Sequence, residues 1–458
     1  MRKKDISKYC IGISIVGLSL AGKADHKPNI ILIYVDDMGY GDLSLYGGDI
    51  PTPNIDRIGR EGIQFTNFYA ASPVCTPSRY SLLTGSYPQR SCHGLEKVGM
   101  PGGDDHLDDA ETILPRYLKQ MGYSTAITGK WHLGSAKKDY FPQKHGFDLF
   151  IGHVDGCIDY FRHTYAGWGN SWYRNGDPLI EDGYATDLIT GHAVDYISDQ
   201  SKKGVPYFLF LSYNAPHYGK TDPGDVPDST LSLKLTRFKG MDMINSLQVE
   251  PEYLNRFKHV QDSAKRYYAA MITNLDDNIG RILKKLEEIG NPENTMIWFI
   301  SDNGGYAESY SGYASNGRLR GEKGTLYEGG IRVPALLCWK DQIKPNQTMD
   351  DLLCTIDIVP TLARIIGFEA MTDKKKLDGI DISGTILHRE KTDRAVYWSF
   401  KPSRQVAYRR GEWKMVNDEL YNLRTDERES DDLSKRYPEK LNELKKAFSA
   451  MDEQIHCR

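Results

Sequence analysis

"NIILIYVDD", residues 29–37, is an apolar run that ends on two adjacent carboxylates. Its length and composition predict a strand, and its likeness to two later runs sets the fold class. "YFLFLSY" (207–213) leads into "NAPH", and "MIWFI" (296–300) leads into "SDNGG". Between these last two, apolar residues recur at 268, 272, 275, 279, 282 and 286, with Gly290 as a stop, which predicts a helix crossing over the sheet. Short apolar runs alternating with helical patterns predict an α/β fold with a mixed, mostly parallel central sheet flanked by helices. In such sheets sites assemble outside the carboxyl ends of the strands, where all three runs carry polar residues.

The chain of 458 residues is long enough for one large domain and a smaller one. Lys+Arg of 58 against Asp+Glu of 62 gives a net charge of −4 with no long basic run, which argues against nucleic acid as a partner. Residues 1–24 combine a basic start, an apolar stretch too short to span a bilayer, and small residues, as in a secretory signal peptide. A periplasmic or secreted protein with no membrane span in its mature form is therefore expected.

The large domain is placed at 25–375. Residues 219–262 lack clear periodicity and read as an insertion at the mouth of the site. After "TIDIVPTLARIIGF" (355–368), the loop-like "MTDKKKLDGIDISG" (371–384) marks a boundary. Beyond it, 376–458 reads as a small α+β subdomain. Its antiparallel strands are expected in "AVYWSF", "QVAYRRGEWKMV" and "ELYNL", and its terminal helix from about Pro438 to Met451.

Asp36 and Asp37 would repel each other unless a cation lay between them. Asp302 and Asn303 form a second such pair, and the four residues offer only oxygen donors, suited to Ca²⁺ or Mg²⁺ rather than zinc. A plain turn-forming role before Gly39 and Gly304 accounts for one pair more easily than for two. Seven scattered cysteines do not make a disulfide framework, although Cys75 and Cys92 are close enough in sequence to pair. On its own residues, Cys75 stays open between buried thiol, disulfide partner, nucleophile and precursor of another group.

"CTPSR" (75–79) with "LLTG" (82–85) resembles the C-x-P-x-R signature of the type I, formylglycine-dependent sulfatases of the alkaline phosphatase superfamily. "NIILIYVDDMGYGDL", "GYSTAITGKWHLG" (122–134), "NAPH" (214–217), "SDNGG" (301–305) and "LRGEKGTLYEGGIRVP" (319–334) extend the resemblance over essentially the whole mature chain. It implies an alkaline-phosphatase-like fold and hydrolysis of sulfate esters. It also implies that Cys75 is oxidised to Cα-formylglycine by a formylglycine-generating or anaerobic sulfatase-maturating enzyme. The hydrated aldehyde would then be the nucleophile, on a Ca²⁺ (in preference to Mg²⁺) bound by Asp36, Asp37, residue 75, Asp302 and Asn303.

By the same resemblance, Arg79 and Lys130 support the nucleophile, helped by a helix N-terminus at Ser78–Arg79. His132 is the base for the second step. His217 and Lys323 bind sulfate together with Lys130, and His217 protonates the leaving group. Taken singly, a histidine after a strand or a lysine in a glycine-rich loop is more often structural.

The loop 152–176 is rich in aromatics, His and Asp, and suits a sugar-binding rim, with His153 and Asp155 as its substrate contacts. His93, His106 and His192 read as surface residues. The expected activity is exo-acting removal of O-sulfate from a galactose- or hexosamine-type sugar in a glycan. The rivals are a phosphomonoester or phosphonate hydrolase of the same superfamily and a non-catalytic sulfoglycan-binding protein. An all-oxygen metal set argues against the first, and a complete set of catalytic positions against the second.

Overall fold

The computed structural model describes residues 27–309, 312–368 and 377–456. The expected signal peptide, Cys10, Cys457 and part of the predicted boundary loop (371–376) lie outside the described residues. A ten-stranded sheet organises the large unit. Its order is Gln347–Met349, Ile63–Phe65, Ala335–Cys338, Thr295–Ser301, Asn29–Asp36, Tyr207–Pro216, Ser124–Gly129, Leu149–His153, Trp172–Arg174 and Asp177–Pro178. All but Ala335–Cys338 and Trp172–Arg174 run in one direction. The three apolar runs of the sequence are thus adjacent parallel strands at its centre.

Alternation along the first strand explains the two layers that cover it. Ile30, Leu32 and Tyr34 enter one core, with Tyr80, Leu82, Leu83 and Leu362 from the helices Cys75–Thr84 and Ile358–Ile365. Ile31, Ile33 and Val35 enter the other, with Ile189, Ile197, Ile272 and Leu275 from Ala185–Lys203 and Ser263–Glu288. The latter helix is the predicted crossover, begun ahead of the quoted pattern by an Asp262 cap on the Ala264 and Lys265 amides.

Two expectations about local structure change. Residues 219–262 hold an antiparallel sheet, Gly219–Thr221, Thr230–Phe238 and Met241–Gln248, followed by the helix Pro251–Arg256. The hairpin turns at Lys239 and Gly240, both at positive φ (47° and 82°), so "KG" is a turn signal. Its period-2 pattern is blurred by a register shift between Ser232 and Lys234 and by polar residues on both partly solvated faces. The terminal helix also runs on to His456, past the expected end at Met451.

Ala395–Phe400, Gln405–Arg410, Trp413–Val416 and Glu419–Asn422 form an antiparallel meander that shares a core with Tyr69, Val74, Leu326 and Ile331 of the large unit. Trp398 Nε1 donates to the Ala70 carbonyl at 2.8 Å. Wholly buried Lys414 sits between Glu328 (2.9 Å) and Glu429 (2.8 Å), and Glu429 also accepts from the Glu328 amide at 2.7 Å. Lys414 is the member that cannot be lost, because without it the two buried carboxyl groups Glu328 and Glu429 would be left side by side.

His145 supports the segment that carries Lys130 and His132. It is fully buried against Trp131 (ring centroids 5.8 Å apart), with neither ring nitrogen hydrogen-bonded among the described residues. Burial, aided by Arg116, lowers its pKa to about 4. Below the unfolded value near 6.5 the unfolded chain takes up a proton that the folded one refuses, so stability falls as pH drops from about 6.5 towards 4. His145→Phe is expected to cut the loss of stability between pH 7 and pH 5 by about 2 kcal/mol, measured by denaturant titration at both values. Parallel curves for the two proteins would refute this.

Candidate active site

The three central strands deliver their last residues to one place. Asp36 ends the first, Asp302 and Asn303 follow Ser301, and His217 follows Pro216. The neighbouring strand Ser124–Gly129 delivers Lys130, buried between Asp36 and the core. Asp37 and His132 both take left-handed backbone conformations, φ 65° and 58°, which few residues other than glycine adopt without tertiary support.

Three carboxylates with no solvent exposure, Asp36, Asp37 and Asp302, meet here, each against a cation. Lys130 Nζ contacts Asp36 Oδ2, Lys323 Nζ lies 2.6 Å from Asp37 Oδ1, and Arg79 Nη2 lies 3.7 Å from Asp302 Oδ2. His217 Nε2 is 3.4 Å from Asp37 Oδ2. Burial opposes ionisation of Asp36, but the charge of Lys130, with His217 and Arg79, holds its carboxyl well below the usual range. Burial and the charge of Asp36 push Asp302 well above it. The cations present therefore do not fully compensate the carboxylates.

One oxygen of each of four residues, Asp36 Oδ1, Asp37 Oδ2, Asp302 Oδ2 and Asn303 Oδ1, is buried without a hydrogen-bond partner among the described residues. Ligand atoms of Asp36, Asp37 and His217 lie within 4.8 Å of one another. Buried acceptors rarely go unsatisfied, and four in one place, three of them carboxylates, fit an oxygen-preferring divalent cation such as Ca²⁺ or Mg²⁺.

Cys75 is the first residue of the helix Cys75–Thr84, all of whose residues are buried. This corrects the helix start expected at Ser78–Arg79: Val74 is still extended, and the Ser78 amide bonds the Val74 carbonyl at 3.2 Å. The positive end of the helix dipole therefore falls on residue 75 itself. The pairing of Cys75 with Cys92 that their spacing allowed does not form: Cys75 is a buried free thiol, whereas Cys92 is exposed on a surface turn beyond the end of the helix.

Arg79 is wholly buried, with Nη1 donating to Ser212 Oγ at 2.6 Å and to the Lys130 carbonyl at 3.1 Å. Ser212 was not anticipated from the sequence. Its position is set by strand register, opposite Gly129, and the polar serine inside an apolar run was the only signal. Thr76, also missed, donates or accepts at His132 (3.1 Å to Nε2) and receives the Gly99 amide at 3.0 Å. His132 Nε2 is also 3.0 Å from the Gly99 carbonyl, which places its proton there. Burial and the charge of Lys130 lower the His132 pKa to about 3, so the ring is neutral. His217, lowered to about 4 chiefly by burial, has Nδ1 on the Tyr218 carbonyl (2.7 Å) and Nε2 towards Asp37.

The loop 152–176 is largely packed. Trp172 is buried between His153 and His163, and His153 bonds the Asp155 carbonyl through Nδ1 (3.0 Å). His153 is itself fully buried, with Nε2 unpartnered. Asp155 accepts from Ser171 Oγ at 2.7 Å, and the adjacent Gly156 lies so close to the His132 ring that a Cβ there would stand 2.7 Å from it. Of the histidines read as surface residues, His93 is exposed; His106 and His192 are half-buried, His106 stacked on Tyr140 and His192 beside Glu181.

A family model described as "Sulfatase" matches residues 28–368. N-acetylgalactosamine-6-sulfatase of Rattus norvegicus is 30% identical over 421 residues, covering 88% of this chain and 73% of that protein. N-acetylgalactosamine-6-O-sulfatase of Bacteroides thetaiotaomicron is 29% identical, covering 94% of each. The crystal structure of Ps i-CgsB in complex with k-i-k-neocarrahexaose superposes with a TM-score of 0.80 at 29% identity, over 94% of this chain and 93% of that one. With its buried cation-and-carboxylate site on that shared fold, the chain belongs to the sulfatase family.

Proposed function

We propose that this sulfatase removes O-sulfate from a sulfated glycan, acting at the end of a chain on a galactose- or hexosamine-type sugar. The observation that carries the reading is the meeting of Cys75, four unpartnered buried oxygens, and Arg79, Lys130, His132, His217 and Lys323 at neighbouring strand ends. The names of the relatives, which specify N-acetylgalactosamine 6-sulfate, and the carrageenan oligosaccharide bound by the structural neighbour support the substrate class.

Asp36, Asp37, Asp302, Asn303 and residue 75 would hold Ca²⁺. When present, the ion supplies positive charge to the sulfate, and formylglycine at position 75 supplies a hydrated aldehyde as nucleophile. The protein's own residues do the rest. Lys323 and His217 bind sulfate oxygens, with Lys130 and Arg79 adding positive charge from beneath. His132, its Nε2–H held by the Gly99 carbonyl, would accept a proton from residue 75 at Nδ1, which lies 3.3 Å from the hydroxyl of Thr76. His217, with Nδ1–H held by the Tyr218 carbonyl, presents Nε2 to the leaving oxygen; it acts as the acid in its imidazolium form, which the negative charge of a bound sulfate favours, and passes the Nε2 proton to that oxygen. Asp155 lies near His132 at the edge of the site, whereas His153, expected as a substrate contact, is fully buried in the packing of its loop against Trp172.

Export through the 1–24 leader to the periplasm or medium, and oxidation of Cys75 by a maturation enzyme, complete the proposal. Peptide mass at residue 75 and the N-terminal sequence of the exported protein test both.

The activity is tested with galactose and N-acetylgalactosamine 4- and 6-sulfates beside the matched phosphate esters, together with metal analysis. The expected result is turnover of at least one sulfated sugar ahead of its phosphate, with calcium bound. Preferred phosphate hydrolysis with zinc bound would overturn it.

A further inference from the structure

His217 and Lys323 are both pinned to Asp37, and each has a phenol ring beside it. The Tyr218 ring is 4.2 Å from the His217 ring, and the Lys323 ammonium is 5.3 Å from the centre of the Tyr306 ring. The two tyrosines face each other at 6.0 Å with their planes 34° apart. Both are half-buried. Each stands next to site residues in the chain: Tyr218 follows His217 directly, and Tyr306 comes three residues after Asn303.

Both rings are also braced from behind. Tyr306 packs on Tyr313 (6.2 Å), which is buried against Tyr268 (5.0 Å). Tyr218 packs against the small cluster of Cys157, Tyr165, Ala166 and Met243, with the Lys220 ammonium 5.7 Å from its ring centre. Lys220 is held in turn by Thr236 (3.0 Å) and Asn245 of the antiparallel hairpin. The 219–248 sheet thus backs this side of the site.

Sulfate binding needs cations and donors, and those are complete without either ring. A tilted, braced pair of aromatic rings adds a different kind of surface, one that receives the C–H face of a pyranose and excludes water from it. We propose that Tyr218 and Tyr306 are the platform on which the sulfate-bearing sugar ring rests, which directs its ester towards His217 and Lys323. The proposal rests on the glycan reading above and names the residues that would recognise the sugar rather than the sulfate. It moves sugar recognition from the packed loop 152–176 to the residues beside the two sulfate-binding side chains.

The test separates sugar from sulfate. Ca²⁺-loaded Cys75→Ala protein is titrated calorimetrically with galactose and N-acetylgalactosamine 4- and 6-sulfates, and with sodium sulfate. The Tyr218→Ala and Tyr306→Ala changes are then added to the same background, with melting temperatures checked for each. Each change is expected to weaken the tightest-binding sugar sulfate about tenfold while leaving inorganic sulfate unchanged, and Tyr218→Phe is expected to restore affinity. Unaltered sugar affinity in both variants would overturn the platform, as would an equal loss for sugar and inorganic sulfate. If sodium sulfate binds and no sulfated sugar binds the parent protein more tightly, the glycan reading itself fails.

Discussion

Cys75→Ala is expected to lower kcat/KM on any sulfate ester by about 10⁴-fold or more while leaving the folded protein in place. The size of the effect follows from where residue 75 sits. It is the first residue of a fully buried helix, it has no disulfide partner among the described residues, and the field of that helix falls on it. The basic side chains around it bind and polarise, but none is placed to replace a nucleophile at that point. The cost to stability is small, about 1 kcal/mol, because only one buried sulfur is lost from a position that is 3% exposed. Steady-state kinetics and thermal melts on the same samples make the comparison. Retained activity in Cys75→Ala would refute the mechanism, whereas a lost melting transition would show only a folding defect and would call for Cys75→Ser.

Asp302→Asn and Asp36→Asn should fail in different ways. Asp36 is paired with buried Lys130, so Asp36→Asn leaves a buried ammonium without its carboxylate and should destabilise the protein by about 3–5 kcal/mol with or without Ca²⁺. Asp302 has Arg79 at 3.7 Å as its counter-charge and the Asp37 amide at 3.1 Å on its other oxygen, and burial with the charge of Asp36 already disfavours its ionised form. The neutral isostere should therefore cost the calcium-free protein about 1 kcal/mol or less. In the calcium-loaded protein, however, it removes one of three carboxylate ligands, a net loss of about 3–4 kcal/mol, or a few hundredfold in affinity. Melting temperatures in chelator and in excess Ca²⁺, with calorimetric titration of the ion, separate the two variants. If Asp302→Asn keeps the full calcium-dependent rise in melting temperature, the ion is not held where the four unpartnered oxygens place it.

The sequence made legible whatever a single strand end displays. Asp36, Asp37, Asp302, Asn303 and His217 each come after an apolar run, and parallel neighbours bring such ends together without further information. Ser212 and Thr76 escaped notice because their roles come from lateral register and from the Gly99 loop, neither of which leaves a local pattern. The hairpin 230–248 was hidden by a register shift and by polar residues on both faces, although its Lys239–Gly240 turn was readable. Tyr218 and Tyr306 were passed over for the opposite reason. The aromatic-rich stretch 152–176 drew attention by composition, yet most of its rings are spent on packing, and two isolated tyrosines beside the site residues had no compositional signal.

Lys414, far along the chain, ties the C-terminal meander to Glu328, and that short helical turn belongs to the same loop as Lys323. The Lys323 amide bonds the Gly305 carbonyl and the Gly324 amide bonds the Pro73 carbonyl, so the loop bridges the Asn303 and Cys75 segments. A version of this protein cut before residue 395 would keep every residue expected to touch sulfate, yet it would take Lys414 from Glu328, leaving that carboxylate to Arg332 and the Tyr69 hydroxyl, and would uncover the apolar face beneath the loop that spaces the two halves of the site. The C-terminal meander and helix are thus part of the catalytic frame, as necessary to its geometry as the strands that carry the chemistry.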